Sequence, residues 1–429
     1  MIGVGLSATL SGGRKARVNL DPMPALDLNF AANRSLPADY GPTPSFSRAS
    51  TGTFFNSSGV LTSAAVNVPR FDHVYSGGSW VSRGLLVEEQ RTNIAIQSNG
   101  FSTASWDKNR GTITANAASS PDGTSNANNF TQSTGQTTLA FLAQYTTTTA
   151  NQFTQSVFAK ANGKNYLVLT EFLSSSGGRF TYFNLSNGTI GTVSVGHTAK
   201  IENVGNGWYR CSITFTALAK SEYFGFNIGD SDNSFTCTDS GSVLFYGAQL
   251  ESGSFPTSYI PTTSASTTRS ADVCQIAGSD FSSFWNATEG SVAVEYIQHK
   301  PLNIGTVVSF FDGGTSNVLY DYASEGTSGG TDYGPSFYIR SGGTFTVENN
   351  NSPIGSGLQK YAVAFKSNDF AMSYLGASAK TDSTVTLPTV TQLGIGKPLF
   401  AQYPFSGHIA RLRYYPTRLT NATLQSLST

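Results

Sequence analysis

Carboxylates that could hydrolyse a glycosidic bond are the first chemistry to look for in this sequence. Retaining hydrolysis needs two carboxyl groups about 5–5.5 Å apart, and alternate positions on one strand could supply them. The best candidate strand carries Glu295, but Ile297 and His299 occupy the next positions on its face. Glu88 and Glu89 are adjacent and would point to opposite faces of a strand. No Gly-x-Ser-x-Gly elbow has a plausible histidine partner. We therefore predict that the protein is not an enzyme.

A metal site is weakly indicated at one loop. The run from Asp230 to Asn233 begins like a calcium loop, but Phe235 stands where an EF-hand requires Gly, and Gly241 stands where it requires Glu. A turn held by Asx hydrogen bonds is the favoured interpretation. We predict no cofactor, with a structural calcium ion as the alternative. The histidines are scattered along the chain and no C-x-x-C occurs, so there is no zinc signature; they are His73, His197, His299 and His408.

Sugar binding is the chemistry that the aromatic residues could perform, because an aromatic ring stacks on a sugar ring while amides and carboxylates bind its hydroxyl groups. A long Gly-rich loop provides the predicted glycan-binding residues, which are Tyr320, Tyr322, Asp332 and Tyr333. Long loops on rigid β-sandwiches often carry binding residues. An ordinary loop or a subunit contact is the alternative. Trp106 is a further candidate, whereas Trp285 is predicted to be a hydrophobic plug near the module boundary.

Three cysteines are too few for a disulfide framework in a chain of 429 residues. Cys211 and Cys237 could pair if their strands are neighbours. Buried free thiols are the favoured interpretation for these two and for Cys274.

The composition favours an all-β protein that works inside an assembly. Charged residues make up 12% of the chain, with 26 basic and 26 acidic side chains, while aromatic residues also reach 12% and Gly numbers 44. A neutral chain lacks the basic surface of a nucleic-acid-binding protein. No run of 18 apolar residues predicts a membrane span. The first ten residues precede their nearest charges, which is the reverse of a signal peptide, so we expect a disordered end.

Short alternating strands separated by turn residues fill the sequence from residue 153 onward. The predicted strands are 153–161, 166–172, 180–186, 208–217, 223–228, 243–250, 290–298, 306–313, 336–341, 360–367, 369–376, 391–396 and 408–416. This spacing is typical of antiparallel sandwiches and jelly rolls. Only the tail from Leu419 to Leu427 has helical character, with Thr420 as a cap.

The pattern divides the chain into residues 1–93, 94–262 and 263–429. The first part contains β-structure but little apolar mass, so we expect it to gain order on a partner and expect the remainder to fold without it. Between the second and third parts, Pro256 and Pro261 stiffen an extended connector. The connector predicts a fixed angle between two sandwiches.

Three phrases carry a resemblance to bacteriophage tail-fibre and minor structural proteins. They are GLLVEEQRTN (84–93), GNGWYRCSITFTA (205–217) and FYGAQLESGSFPTSYIPTT (245–263). In such proteins the segment between the first and last phrases resembles a carbohydrate-binding-module-like jelly roll. The resemblance implies that Trp208 is a core-packing residue and not a glycan-stacking one. The third part, with GSVAVEYIQ (290–298) and the final strand and helix, resembles a laminin-G/concanavalin A-like sandwich.

The resemblance covers roughly residues 24–429 and implies a function outside catalysis. It predicts a virion structural protein, made in the host cytoplasm, whose residues 1–93 attach to other virion proteins. It predicts a homotrimeric tail fibre or spike that contacts host-surface glycans, with no nucleic acid partner and no membrane span. A head or collar decoration with a purely structural role is the alternative, and a depolymerase is a third, weaker one.

Overall fold

The computed structural model describes residues 22–133, 135–149, 151–173, 177–217, 221–237, 241–299, 305–324, 334–349, 357–397 and 404–429. These residues form an all-β fold with three short helices. In the described part of the chain, no helix has the length and apolarity needed to cross a membrane.

The elements follow one another in this order along the chain. The first group is β1 (Leu26–Leu28), α1 (Phe30–Asn33), β2 (Ser45–Ser47), β3 (Gly52–Phe55), β4 (Leu61–Ala64), β5 (Arg70–Ser76), β6 (Ser79–Val87) and β7 (Arg91–Asn93). The second is β8 (Asp107–Asn109), β9 (Gly111–Ala118), β10 (Ala127–Gln132), β11 (Ala140–Thr147), β12 (Gln152–Asn162), β13 (Tyr166–Leu173), β14 (Gly177–Asn184), β15 (Thr189–Ile190), β16 (Thr198–Asn203), β17 (Trp208–Thr216), β18 (Ser221–Gly229) and β19 (Ser242–Ser252). The third is β20 (Thr267–Arg269), β21 (Val273–Ala277), α2 (Gly278–Ser282), β22 (Glu289–Gln298), β23 (Val308–Phe311), β24 (Val318–Ser324), β25 (Gly334–Ser341), β26 (Thr344–Asn349), β27 (Gln359–Lys366), β28 (Asp369–Tyr374), β29 (Lys380–Asp382), β30 (Gln392–Ile395), β31 (Gly407–Tyr415) and α3 (Asn421–Leu427).

Two antiparallel sandwiches account for most of these strands. The jelly-roll sandwich packs the sheet β16-β17-β12-β19-β10-β9 on the sheet β15-β14-β13-β18-β11-β8. The terminal sandwich packs β29-β28-β27-β22-β31-β6-β5, in which β1 also pairs with β31, on β2-β21-β30-β23-β24-β25-β26. Each sandwich has its own apolar core, one around Phe226 and Phe245 and the other around Val294 and Leu412. The all-β prediction is confirmed, and Thr420 caps α3 as predicted.

Four N-terminal strands, β1, β2, β5 and β6, belong to the terminal sandwich. Strands β1 and β6 pair with β31, and β2 pairs with β21. Leu26, Leu28 and Leu85 are fully buried in the same core as Leu412, because their strands close one edge of that core. These described strands of the segment predicted to gain order on a partner therefore pair within their own chain. The jelly-roll strands, from Asp107 to Ser252, are inserted between the two parts of the terminal sandwich.

A buried charge cluster fixes the place where the chain enters and leaves the jelly roll. Arg70 lies 2.8 Å from Glu88 and 2.5 Å from Asp272, and Arg48 lies 3.0 Å from Asp272. Arg269 lies 3.5 Å from the same Glu88 oxygen. We call this region the junction; it comprises residues 88–93, 249–262 and 269–272 together with Arg48 and Arg70.

The connector after β19 is held by side chains as well as by its prolines. Glu88 accepts hydrogen bonds from the amide and hydroxyl of Ser258, at 2.7 and 2.6 Å. Glu251 accepts the amide of Thr257 at 2.7 Å, and the Gln249 side chain accepts the amide of Ile260 at 2.7 Å. The segments 84–93 and 245–263 therefore meet at one buried polar cluster, where Glu88 binds Ser258. This contact supports a fixed angle between the sandwiches.

Two glycines in the segment 245–263 adopt backbone conformations with positive φ that favour glycine. Gly247 has φ +63° beside a register shift of β12 against β19, and a Cβ there would lie 3.2 Å from Phe158 and Tyr259. Gly253 has φ +131°, and a Cβ there would collide with the guanidinium of Arg91. Both positions require glycine because the left-handed region and the close contacts disfavour any side chain.

All three cysteines are buried free thiols, as predicted for Cys211, Cys237 and Cys274. Burial raises the pKa of the Cys274 thiol, with a further contribution from Asp272. None of the three is placed as a reactive thiolate.

Candidate functional site

An aromatic pocket lies on the outer face of the jelly-roll sheet that contains β11, β13 and β18. Side chains alternate along a strand, so Thr170 and Phe172 face outward while Leu167 and Leu169 of the same strand enter the core. The pocket has a volume of about 300 Å³. It is lined by Arg110, Thr138, Leu139, Phe141, Ala143, Thr170, Phe172, Phe180, Tyr223, Gly225, Asn227 and Phe235. We call this site the aromatic pocket.

The floor of the aromatic pocket is small and buried. Leu139, Ala143, Thr170 and Asn227 are each at most 5% exposed, and Gly225 lies between them in the sheet. The Asn227 amide nitrogen donates to the Thr170 hydroxyl and lies 3.5 Å from the Val168 carbonyl. These two side chains place a polar pair in an otherwise apolar floor.

The rim of the aromatic pocket is formed by rings that remain accessible. Phe172 is 44% exposed and Phe235 is 55% exposed. Phe180 meets Phe235 edge-on with ring centroids 4.8 Å apart, and Phe172 meets Tyr223 at 6.3 Å. Edge-on contacts hold each ring by its neighbour while leaving ring faces for a ligand.

Arg110 closes one side of the aromatic pocket. Its Nε donates to the Leu139 carbonyl at 2.8 Å, and its guanidinium carbon lies 5.6 Å from the centre of the Phe141 ring. The cation is therefore positioned by both the backbone and an aromatic face. The pocket offers stacking faces, one amide–hydroxyl pair and one fixed guanidinium.

Two of the residues predicted for glycan binding, Tyr320 and Tyr322, lie on β24 of the terminal sandwich and do not line this pocket. Tyr320 is 4% exposed and stacks on Tyr338 with ring centroids 5.2 Å apart. Tyr322 lies on β24, where its backbone pairs with Ser336. Asp332 and Tyr333 lie outside the described residues. Glycan binding at these four positions stays a prediction.

The tryptophans considered for stacking are packing residues. Trp106 is 1% exposed and donates from its ring nitrogen to the Gln97 carbonyl at 3.0 Å, so the structure gives it no open face. Trp208 is buried, as predicted. Trp285 stacks on Phe281 and Tyr414 at the end of the terminal core, as expected for an apolar plug.

The loop that begins like a calcium site uses its carboxylates inside the chain. Asp232 accepts from the amide and hydroxyl of Thr192 at 2.8 and 3.1 Å. Asp230 forms an ion pair with Lys164. No group of three His, Cys, Asp or Glu residues suited to a metal ion occurs within the ranges given above.

A second cavity, of about 660 Å³, separates the two sandwiches, and we call it the inter-sandwich cleft. His73, His299 and His408 all line it, although they are distant in sequence. His408 lies 2.8 Å from Asp72 and 3.1 Å from His299. Burial, His408 and Lys200 lower the pKa of His299 to about 3, so this histidine is neutral near neutral pH.

Side chains that line the inter-sandwich cleft contact neighbours on their own side of it. Lys200 pairs with Glu202 at 2.8 Å. Trp80 packs on Phe55 and Tyr75 with ring centroids 4.9 and 5.6 Å apart. Each of these contacts lies within one wall of the cleft.

Sequence reasoning missed the aromatic pocket, although it found three of its strands, one of which, 223–228, carries Tyr223 and Asn227. Phe172 and Phe180 fall in predicted strands 166–172 and 180–186. The signal available was an aromatic residue at alternate positions to the core residues of the same strand. What the sequence does not supply is the sheet order that brings Phe141 of β11 and Phe235 of a distant loop to the same face.

No protein-family model and no curated protein matches the chain. Among solved structures, the carbohydrate-binding module CBM40 of the Ruminococcus gnavus IT-sialidase, bound to alpha2,3 sialyllactose, is 16% identical, with 34% of this chain and 84% of that chain covered and a TM-score of 0.29. Domain 4 of the Geobacillus stearothermophilus arabinanase AbnA is 13% identical, with 41% and 82% covered and a TM-score of 0.31. Domains LG4-5 of the mouse laminin alpha1 chain are 10% identical, with 66% and 89% covered and a TM-score of 0.25. Structural similarities with such low TM-scores do not identify the function of this chain.

Proposed function

We propose that the protein is a non-catalytic adhesion protein that binds glycans in the aromatic pocket. The observation that carries the proposal is the accessible ring of aromatic side chains around a buried amide–hydroxyl pair. Exposed aromatic clusters of this kind on a soluble β-sandwich mark binding surfaces. A pocket of about 300 Å³ is at the lower end of the range for ligand sites, about 300–1,000 Å³, which suits a single sugar residue.

The chemistry of the pocket suits a sugar because a sugar ring has an apolar face and polar edges. Phe172 and Tyr223 offer ring faces to the C–H groups of a pyranose. Asn227 and Thr170 offer hydrogen bonds beneath them. Both components stand on neighbouring strands, so their spacing is set by the sheet.

The finer proposal is that this adhesion protein is a component of a bacteriophage virion, either a tail fibre or a spike. Its support is the resemblance of the phrases at 84–93, 205–217 and 245–263. The junction adds physical support, since a buried charge cluster between two sandwiches suits a stiff protein that transmits load. A homotrimer and attachment to other virion proteins belong to the same proposal, and a head or collar decoration is its alternative.

A glycan array with the full chain and two matched variants tests the glycan-binding proposal. Phe172→Ala removes a rim ring that is 44% exposed, whereas Phe345→Ala removes a ring of the terminal sandwich that is 49% exposed. We expect Phe172→Ala to weaken binding about 5- to 150-fold, by analogy with the loss of about 1–3 kcal/mol when an aromatic ring stacked on a nucleic-acid base is removed. Phe345→Ala should leave binding unchanged, because the side chain is equally accessible but lies on another surface.

Three results would count against this assignment. Loss of binding in Phe345→Ala with retention in Phe172→Ala would move the site to the terminal sandwich, where Phe345 contacts Tyr338 beside the predicted Tyr320. Loss in Trp80→Ala alone would move it to the inter-sandwich cleft. An array without any signal from the folded full chain would reject glycan binding and favour the structural alternative.

The virion proposal has a separate test. Cryo-electron microscopy of phage particles that encode this chain should show the protein as a projecting fibre or spike at the tail. Density at the head or collar would support the decoration alternative. Absence of the protein from purified particles would reject the virion proposal and leave the glycan-binding proposal standing.

A further inference from the structure

We propose that the aromatic pocket selects glycans bearing an acetamido group, as in N-acetylhexosamines, and that this group occupies the pocket floor. The inference rests on the proposed function, because it specifies which sugars the same pocket takes. The hydrogen-bonding groups of the pocket floor are complementary to those of an acetamido substituent on a sugar ring.

The floor offers one acceptor and one donor to a ligand. Both hydrogens of the Asn227 amide are directed within the chain, toward the Thr170 hydroxyl oxygen and the Val168 carbonyl. This leaves the Asn227 amide oxygen as an acceptor and the Thr170 hydroxyl hydrogen as a donor. An acetamido group presents the complementary pair, since its N–H donates and its carbonyl oxygen accepts.

The surroundings of this pair are apolar. Leu139, Ala143 and Gly225 form the rest of the floor, and Phe141 stands beside them. A hydroxyl group placed against these residues would lose its water partners without gaining others, which is unfavourable. A methyl group loses no hydrogen bond there and buries apolar surface. The acetamido group combines that methyl with the amide that Asn227 and Thr170 match.

The rim then holds the sugar ring that carries the substituent. Phe172 and Tyr223 are paired on the neighbouring strands β13 and β18 at one end of the floor, and Phe235 lines the pocket from the loop after β18. Arg110 is already engaged with the Leu139 carbonyl and the Phe141 ring, so selection through the floor does not require an anionic sugar.

The test compares sugar pairs that differ only in the acetamido group. Titration calorimetry with the full chain uses chitotriose against cellotriose, N-acetyllactosamine against lactose, and the methyl glycosides of N-acetylgalactosamine and galactose. At least one acetamido sugar should bind ten times more tightly than its hydroxyl counterpart. Thr170→Val should abolish that preference, whereas Thr170→Ser, which keeps the hydroxyl, should retain it.

Each remaining outcome contradicts a distinct statement. Equal binding within every pair, or preference for the hydroxyl sugar, overturns acetamido selection and leaves glycan binding intact. A preference unchanged in Thr170→Val also overturns it, because the floor would not be the selecting element. A glycan array that shows only sugars without acetamido groups has the same effect. An array without any bound glycan, from a chain that melts cooperatively, overturns the proposed function itself.

Discussion

The junction and the aromatic pocket place opposite kinds of side chain in opposite environments. In the junction, Arg70, Glu88 and Asp272 are at most 1% exposed and bind one another at 2.5–2.8 Å. In the aromatic pocket, Phe172 and Phe235 are about half exposed, and their neighbours meet them edge-on. Charges that are normally solvated are buried in one region, and rings that are normally buried are exposed in the other.

The difference separates two tasks within one all-β chain. Burying charges is favourable only where the partners are held in good geometry, which the junction achieves with segments from four parts of the chain. Exposing aromatic rings costs hydrophobic stabilisation and is useful only if a ligand covers them. The junction is therefore expected to stabilise the fold, whereas the aromatic pocket is proposed to bind the ligand.

Removing the N-terminal strands should have the largest effect. Deletion of residues 22–80 removes β1 to β5 and uncovers Leu85 and Leu412 in the terminal core. We expect loss of cooperative folding of the terminal sandwich, measured by circular dichroism melting. This reverses the expectation from the sequence that the remainder would fold alone. A truncated chain with an unchanged melting transition would show that the paired N-terminal strands contribute no stability.

Neutralising one junction carboxylate should have the next largest effect. Glu88→Gln leaves Arg70 and Arg269 without their shared anion, and breaking a buried pair in this way costs about 3–5 kcal/mol of unfolding free energy. Glu202→Gln is the matched control, because Glu202 is 41% exposed and its pair with Lys200 is worth at most about 1 kcal/mol. Urea denaturation measures both. Equal losses in the two variants would remove the distinction between the junction and an ordinary surface pair.

The pH dependence of stability should show two limbs of opposite sign. Burial disfavours ionised Glu88, but Arg269, Arg70 and Ser258 outweigh it and hold its pKa below the usual range. Its stabilisation is present above the unfolded pKa of about 4.3 and is lost in acid. Burial raises the pKa of Asp321 to about 7, although hydrogen bonds from the amides of Val308 and Val307 favour its ionised form. The folded protein therefore holds this proton more tightly than the unfolded chain, and the free energy of unfolding falls as pH rises from about 4 to 7.

Single variants separate these limbs. Asp321→Asn should flatten the fall between pH 4 and 7, whose slope is at most about 1.4 kcal/mol per pH unit. Glu88→Gln should flatten the acid limb. Glycan binding at a temperature well below melting should change little between pH 5 and 8, because neither Glu88 nor Asp321 lines the aromatic pocket. Binding that follows either limb would couple the two regions.

Loosening the connector should have the smallest effect. Pro256→Gly with Pro261→Gly should cost about 1–2 kcal/mol through the entropy of the unfolded chain. The angle between the sandwiches should stay, because Glu88 and Gln249 hold the amides of Ser258 and Ile260. Small-angle X-ray scattering measures this angle. A broadened distance distribution would show that the prolines, rather than the junction, fix the sandwiches.

The sequence predicts strands well and their partners poorly, for a physical reason. Alternation marks 166–172 as a strand, and the structure places β13 at Tyr166–Leu173. Alternation does not reveal that β6 pairs with β31, since their residues are separated by more than 300 positions and no local pattern encodes that contact. The separate N-terminal segment expected from low apolar content is for this reason part of a distant sandwich.

The residues of the candidate site are also brought together by strand pairing that the sequence pattern does not reveal. The sequence places Tyr320 and Tyr322 in a Gly-rich loop, but both lie on β24, and the stacking of Tyr320 on Tyr338 depends on sheet order. Three of the four scattered histidines, His73, His299 and His408, likewise meet at the inter-sandwich cleft because β5, β22 and β31 belong to one sheet. Residue type and spacing predict the chemistry that is available, whereas strand order decides which residues share a surface.

A crystal structure of the full chain with a bound glycan from the array would directly test whether the aromatic pocket is the glycan-binding site. We expect sugar density in the aromatic pocket, with a sugar ring against Phe172 or Tyr223 and its substituent beside Asn227 and Thr170. Density beside Tyr322, or within the inter-sandwich cleft, would contradict the assignment of recognition to the jelly-roll sheet.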